Sequence, residues 1–177
     1  MHRLFLAIRP PEPIRDLLLD AMDDGPDFRW QQDEQLHLTL RFIGEVDRHR
    51  AADLSDALGR VRSPRFTARI KGVGSFDHRA AGALWAGVEP KEPLAALAAK
   101  LERACQAVGL EPERRAFHPH ITLARWKGHR TRALADFLDR RRGLVSEPFE
   151  VGEFILFESR LSRHGAHYEA VASYPLS

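Results

Sequence analysis

His37-Leu38-Thr39-Leu40 and His120-Ile121-Thr122-Leu123 are near-copies of one tetrapeptide in a chain of 177 residues. The chain holds nine histidines and only four threonines (Thr39, Thr67, Thr122, Thr131), so random placement gives ~0.2 His-x-Thr triplets. Residues i and i+2 of a strand share a face, about 6.6 Å apart along the backbone. Each motif therefore sets a His beside a Thr. Leu38, Leu40, Ile121 and Leu123 then point the other way, into a core. Two such strands facing each other place two imidazoles and two hydroxyls around one cleft.

The flanking sequence predicts the elements that carry these strands. Arg3–Ile8 reads as a strand. Pro13–Met22 reads as a helix entered through proline, with Ile14, Leu17, Leu18 and Met22 on one face. The first motif lies in a strand over Leu36–Ile43, stopped near Gly44, and Ala51–Val61 is helical. Phe66–Val73 and Gly82–Val88 form a hairpin turning at Asp77-His78-Arg79. Pro93–Val108 is the clearest helix, with Leu94, Leu97, Leu101, Ala104 and Val108 periodic and Gly109 as its stop. His120–Ala124 is the second motif strand. Thr131–Arg142 is a helix, and Glu150–Ser159 with His167–Ser173 is a closing hairpin around Gly165. Gly109–Phe117 is the one candidate hinge. The order is a rough internal repeat of strand, helix and hairpin. It predicts an α+β fold: one domain over residues 1–177, two-lobed, with pseudo-symmetric antiparallel sheets, outer helices and a central cleft.

Composition sets the frame. With 44% hydrophobic and 29% charged residues this is an ordinary globular chain long enough for a sizeable core. No apolar run approaches a membrane span, and Leu4–Ile8, stopped by Arg9-Pro10-Pro11, is too short for a signal segment. No membrane association is expected. The single Cys105 sits in a helical apolar pattern, reads as a buried inert thiol, and suits a reducing cytoplasm. Net charge is only +2, but 23 of the 27 basic residues are Arg. Arginine suits bidentate phosphate contact and stacking on bases.

Two histidines placed symmetrically suit an in-line displacement at phosphorus. One strips a proton from the attacking oxygen, and the other protonates the leaving oxygen. Imidazole serves both roles near neutral pH, each worth typically 10²–10⁴ in rate. The threonine hydroxyls donate to non-bridging phosphate oxygens, where charge gathers. The scheme needs no metal and no other cofactor. His118-Pro119-His120 has the look of a metal pair, yet Glu113 and Asp136, the nearest carboxylates, give no recognisable ligand spacing. His118 is read as structural, and His2, His49, His78, His129, His164 and His167 as surface residues.

Three further residues bear on the site. Arg41, at i+4 from His37, falls on the same strand face and lends positive potential to the groove. Phe42 and Arg125 lie at i+5 from His37 and His120. A regular strand turns both away, so a bend must return them if Phe42 is to face a base and Arg125 a phosphate. Arg130, Arg132 and Arg140–Arg142 form a candidate basic rim favouring RNA over a mononucleotide.

Arg3-Leu-Phe-Leu-Ala-Ile8, His37-Leu-Thr-Leu-Arg-Phe-Ile-Gly-Glu-Val46, Phe117-His-Pro-His-Ile-Thr-Leu-Ala-Arg125 and Leu156-Phe-Glu-Ser-Arg160 resemble the RNA 2′,3′-cyclic phosphodiesterases, formerly called bacterial 2′-5′ RNA ligases, of the two-histidine phosphoesterase superfamily. The resemblance implies a bilobal fold with a central groove. It also implies hydrolysis of an RNA 2′,3′-cyclic phosphate end to a 2′-phosphomonoester, with His37 as proton donor to the departing 3′ oxygen and His120 as proton acceptor from water. Thr39 and Thr122 hold phosphate oxygens, and Arg125 matches a family position. The residues alone support an acid–base pair without saying which is which. The expected partner is an RNA or oligonucleotide with a cyclic phosphate end, with no obligate protein partner. The rival readings are a 2′-5′ phosphodiesterase or ligase acting on oligonucleotides or on ADP-ribose cyclic phosphate, a non-catalytic RNA-end-binding module, and a metallophosphoesterase.

Overall fold

The computed structural model describes residues 1–23, 25–78, 80–128 and 131–177, with the side chain of residue 131 left aside. Arg79, His129 and Arg130 lie outside it, and with them the tip of the first hairpin and one residue of the expected rim. The order is β1 (His2–Ile8), α1 (Glu12–Ala21), β2 (Arg29–Trp30), a 3₁₀ turn (Asp33–Gln35), β3 (Leu38–Val46), α2 (Arg48–Gly59), β4 (Phe66–Asp77), β5 (Ala81–Glu89), α3 (Lys91–Ala107), β6 (His120–Lys127), α4 (Thr131–Arg140), β7 (Phe149–Val151), β8 (Glu153–Ser162) and β9 (Gly165–Pro175). Every expected helix and strand is present, with ends shifted by up to four residues. Three short elements, β2, the 3₁₀ turn and β7, carry too few residues to show a period.

The strands form one antiparallel sheet in the order β7-β4-β5-β6-β3-β1-β8-β9, with β2 joined to β6. The halves meet where β3 pairs with β6, at Leu38 opposite Ile121. The linear repeat is not two consecutive lobes. Hairpin β4–β5 joins β6, the later motif strand, while β8–β9 joins β1 beside β3. The chain thus exchanges its hairpins, and neither half closes without the other's sequence.

One continuous core fills one face of the sheet. Ile14 and Leu18 of α1, Leu54 and Leu58 of α2, and Leu94, Leu97 and Leu101 of α3 pack there against Leu4, Leu6, Leu38, Leu84, Ile121 and Leu123. Cys105 is buried in the same core, and burial pushes its thiol up to about 11. Alternation sends Phe5 and Ala7 of β1 to the other face, where they meet Ile155 and Phe157. Helices therefore cover one face, and the motif histidines and threonines stand on the other. Among the described residues no helix is long and apolar enough to cross a membrane.

Candidate active site

Leu38 pairs with Ile121 in antiparallel register. Carrying that register one residue to each side sets His37 opposite Thr122 and Thr39 opposite His120. The four side chains thus alternate His, Thr, His, Thr about one pseudo-two-fold point, all on the face away from the helices.

Each imidazole is held the same way. His37 Nδ1 donates to the Gln35 carbonyl at 2.7 Å, and His120 Nδ1 to the His118 carbonyl at 2.6 Å. With the proton fixed on Nδ1, the neutral ring keeps its lone pair on Nε2. His37 Nε2 accepts from the Thr39 hydroxyl at 3.0 Å. His120 Nε2 is without a protein partner among the described residues. His118, read as structural, supplies its carbonyl to this anchor, while its ring rests 4.9 Å from that of Trp85.

Aromatic rings wall both histidines. Phe5 lies 4.9 Å and Tyr168 5.2 Å from His37; Phe76 lies 4.9 Å and Trp85 6.1 Å from His120. Burial pushes His37 down to about 4, helped by the positive charge of Arg125, by His120 and by Arg9. Burial, His118 and Arg125 lower His120 as well. Both rings are neutral in the empty cleft at neutral pH. A bound phosphate anion reverses part of this, because opposite charge favours the imidazolium.

The bend that Phe42 and Arg125 require is a one-residue bulge in each motif strand. On β1, Ala7 pairs with Thr39 and Leu6 with Arg41, which leaves Leu40 as the extra residue. On β5, Trp85 pairs with Thr122 and Leu84 with Ala124, which leaves Leu123 as the extra residue. After the bulge the faces exchange. Phe42 then sits opposite Phe5, and Arg125 opposite Ala83, both on the histidine face. Phe42 is 47% exposed there.

The same bulge corrects the reading of Arg41. It does not line the groove with free charge. It sits opposite Leu6 and is only 8% exposed. Its Nε donates to Glu102 of α3 at 2.6 Å, and its other nitrogens to the carbonyls of Phe42 and Glu111. That pairing holds the Glu102 carboxyl down at about 2. Glu102 in turn accepts from the Glu113 backbone N–H at 3.0 Å. The expected hinge is therefore tied down at two points.

Two of the four described residues of the expected basic rim are neutralised. Arg140 pairs with Asp23 and Arg142 with Asp139, and Arg141 donates to the Ala21 carbonyl. Arg132 is exposed. His49, His78, His164 and His167 are exposed as expected, whereas His2 is half-buried and bonded to Glu158 at 2.9 Å. Sequence reading missed Arg9 and Arg29. Arg9 follows Phe5 and Ala7 in strand parity, and its charge acts on His37. Arg29 stands opposite Arg125.

A groove of about 510 Å³ opens from Thr39 and His120 and runs past Phe42, Phe76, Phe117 and Arg115. The Arg115 guanidinium lies 5.9 Å from the Phe42 ring centre. Among the described residues no group of three or more His, Cys, Asp or Glu side chains is placed to hold a metal ion. His118 and His120, 5.9 Å apart between ring centres, share no third ligand. What the arrangement offers is two imidazoles for proton transfer, two hydroxyls, and a nearby guanidinium.

The comparisons with known proteins agree with this geometry. A family model of the 2′-5′ RNA ligase superfamily matches residues 5–163. An RNA 2′,3′-cyclic phosphodiesterase of Aeropyrum pernix is 35% identical over 150 residues, covering 83% of this chain and 85% of that one. One of Escherichia coli is 30% identical over 186 residues, covering 99% and 97%. The crystal structure of E. coli LigT complexed with 3′-AMP matches with a TM-score of 0.83 at 30% identity, covering 99% of this chain and 98% of that one. With both His-x-Thr strands intact and facing each other across the seam of such a sheet, this chain belongs to the 2′-5′ RNA ligase superfamily.

Proposed function

We propose that this protein hydrolyses RNA 2′,3′-cyclic phosphate ends to 2′-phosphomonoesters by acid–base catalysis between His37 and His120, without a metal. The observation that carries the reading is the seam itself: two anchored imidazoles and two hydroxyls alternate across one strand pair on the open face. The relatives in Aeropyrum pernix and E. coli are RNA 2′,3′-cyclic phosphodiesterases.

In the proposed reaction water attacks phosphorus and gives a proton to His120 Nε2. The bond from phosphorus to the 3′ oxygen breaks, and that oxygen takes a proton from His37 Nε2. The products are a 2′-phosphate and a free 3′ hydroxyl. The assignment of donor and acceptor follows the family resemblance. His37 reaches its acid form once the bound phosphate supplies the anion that its empty, apolar surroundings lack. Thr39 and Thr122 donate to the non-bridging oxygens, Arg125 supplies charge to them, and Phe42 offers its exposed face to the terminal base. Residues 1–177 act as one domain, in the cytoplasm, without an obligate protein partner.

The test is incubation with an oligoribonucleotide ending in a 2′,3′-cyclic phosphate, with and without excess EDTA, followed by determination of the phosphate position. A 2′-phosphate formed at the same rate in both arms is expected. A 3′-phosphate, or loss of activity with EDTA restored by Zn²⁺, overturns the scheme. Cleavage of an internal 2′-5′ linkage with no action on cyclic ends favours the oligonucleotide phosphodiesterase reading instead.

A further inference from the structure

Several arginines of this protein are paired with carboxylates: Arg15 with Asp33, Arg41 with Glu102, Arg65 with Glu150, Arg69 with Glu89, Arg140 with Asp23 and Arg142 with Asp139. Three basic side chains at one end of the cleft are not. Arg29 on β2 stands directly opposite Arg125 on β6. Lys127 lies two residues beyond Arg125 on the same face, about 6.6 Å along the strand. All three are exposed, and no carboxylate among the described residues pairs with any of them.

This placement costs stability. Like charges directly opposite on an antiparallel pair repel, whereas the cross-strand neighbour of Arg69 on β5 is the carboxylate of Glu89. Here the neighbouring strand sets only Ala83 and Ala81 beside Arg125 and Lys127, so the row is left open to solvent. Its direction is informative as well. β6 runs from His120 through Thr122 to Arg125 and Lys127, while the antiparallel β3 carries Phe42 the other way past Thr39, so the row and Phe42 stand at opposite ends of the seam. The cleft has an apolar aromatic end, a catalytic middle and an unpaired cationic end. A nucleoside cyclic phosphate fills the first two. A strand of phosphodiesters is what matches the third.

We propose that Arg29 and Lys127 extend the site from Arg125 into a track for the internucleotide phosphates next to the reacting end, so that the preferred substrate is an RNA chain rather than a mononucleotide. The inference rests on the hydrolase reading above for its substrate, but the track itself is tested by binding.

The experiment compares Arg29→Gln, Lys127→Gln and Arg29→Lys with the parent. One readout is hydrolysis of a mononucleoside 2′,3′-cyclic phosphate and of a ten-nucleotide RNA with the same end. The other is fluorescence-anisotropy binding of a ten-nucleotide RNA carrying a 2′-phosphate, across a salt series. Each Gln variant is expected to lower the slope of log affinity against log salt by about 0.7, the contribution of one phosphate contact to a single strand. Turnover of the mononucleotide stays within twofold of the parent, and Arg29→Lys keeps the parent's salt slope. Gln variants with the parent's salt slope overturn the track, as does an equal loss on mononucleotide and RNA. If the parent hydrolyses neither substrate but the slopes still fall in the Gln variants, the track stands and the hydrolase reading fails.

Discussion

Phe42 and Arg125 occupy the same place in the two halves of the sheet. Each lies five residues past its histidine, and each is returned to the histidine's face by a single extra residue, Leu40 or Leu123, at the fourth position of the tetrapeptide. The alternation of buried and accessible positions is identical over 37–42 and 120–125. A symmetric backbone thus presents an aromatic ring at one end of the cleft and a guanidinium at the other. The asymmetry that a nucleotide needs is carried by side chains alone.

Phe42→Ala should therefore raise KM for nucleotide substrates by about tenfold, the order of one base–aromatic stacking contact, with little change in kcat. Arg125→Ala should lower kcat/KM, and Arg125→Lys should restore it in part, since an ammonium offers one point of charge where the guanidinium offers a fork. Steady-state kinetics on one cyclic-phosphate substrate separates the two. Parent-like constants in Phe42→Ala, or in both Arg125 variants, remove that residue from the site.

His37→Ala and His120→Ala should each lower kcat by at least ~10²-fold, because each removes one proton-transfer partner. Circular dichroism should match the parent. The exposed face of the sheet carries these rings, and the core lies on the other.

The threonines are expected to behave unequally. Thr39 already donates to His37 Nε2, whereas no hydrogen bond ties Thr122 to a ring among the described residues. Thr39→Val should change both kcat and the pH dependence of the rate, while Thr122→Val should lower kcat alone, each by roughly 10- to 10³-fold for one lost transition-state hydrogen bond. Serine at either position should recover much of the rate. Wild-type turnover in both valine variants would mean that the repeated Thr serves packing.

Stability should fall as the solution is acidified. His37 and His120 are both held below the ordinary histidine value, so the unfolded chain takes up protons before the folded one. The folded state is favoured above about pH 6.5 and loses that advantage toward about 4, the value for His37, at up to about 1.4 kcal/mol per pH unit for each proton. Melting temperatures at pH 7.5 and 4.5 measure this. His37→Gln should flatten the dependence, and an equal slope in the variant would assign the acid sensitivity to other groups. Bound inorganic phosphate should oppose the loss, because the anion favours the protonated ring.

Arg41→Met should destabilise the fold by about 2–3 kcal/mol, somewhat under the usual penalty for breaking a buried pair because Glu102 keeps some contact with water. It also frees the 111–116 segment from the Glu111 carbonyl contact, so KM should rise more than kcat falls. The double variant with Glu102→Leu should recover part of the stability. Equal melting temperatures for Arg41→Met and the parent would mean that the tether contributes nothing.

The repeated tetrapeptide, read with strand alternation, was enough to place His37, Thr39, His120 and Thr122 on one face and their aliphatic neighbours in a core. This works because a period of two is a property of the local backbone, and the core enforces it on both strands. The helices over 13–22 and 93–108 were equally legible, since their apolar stripes recur at helical spacing. Three features were decided only by tertiary structure. The hairpins β4–β5 and β8–β9 are exchanged between the halves, because strand pairing joins segments far apart in sequence and no local pattern encodes the partner. The bulges at Leu40 and Leu123 invert the faces that simple alternation assigns. The adjacent apolar pair Leu123-Ala124 hints at one of them, but Arg41 conceals the other by burying a charge against Glu102 from a distant helix. The electrostatics of the cleft followed the same rule. Which arginines are neutralised depends on the carboxylates that folding brings beside them, and that left Arg29, Arg125 and Lys127 as an unpaired row where the sequence pointed to Arg140–Arg142.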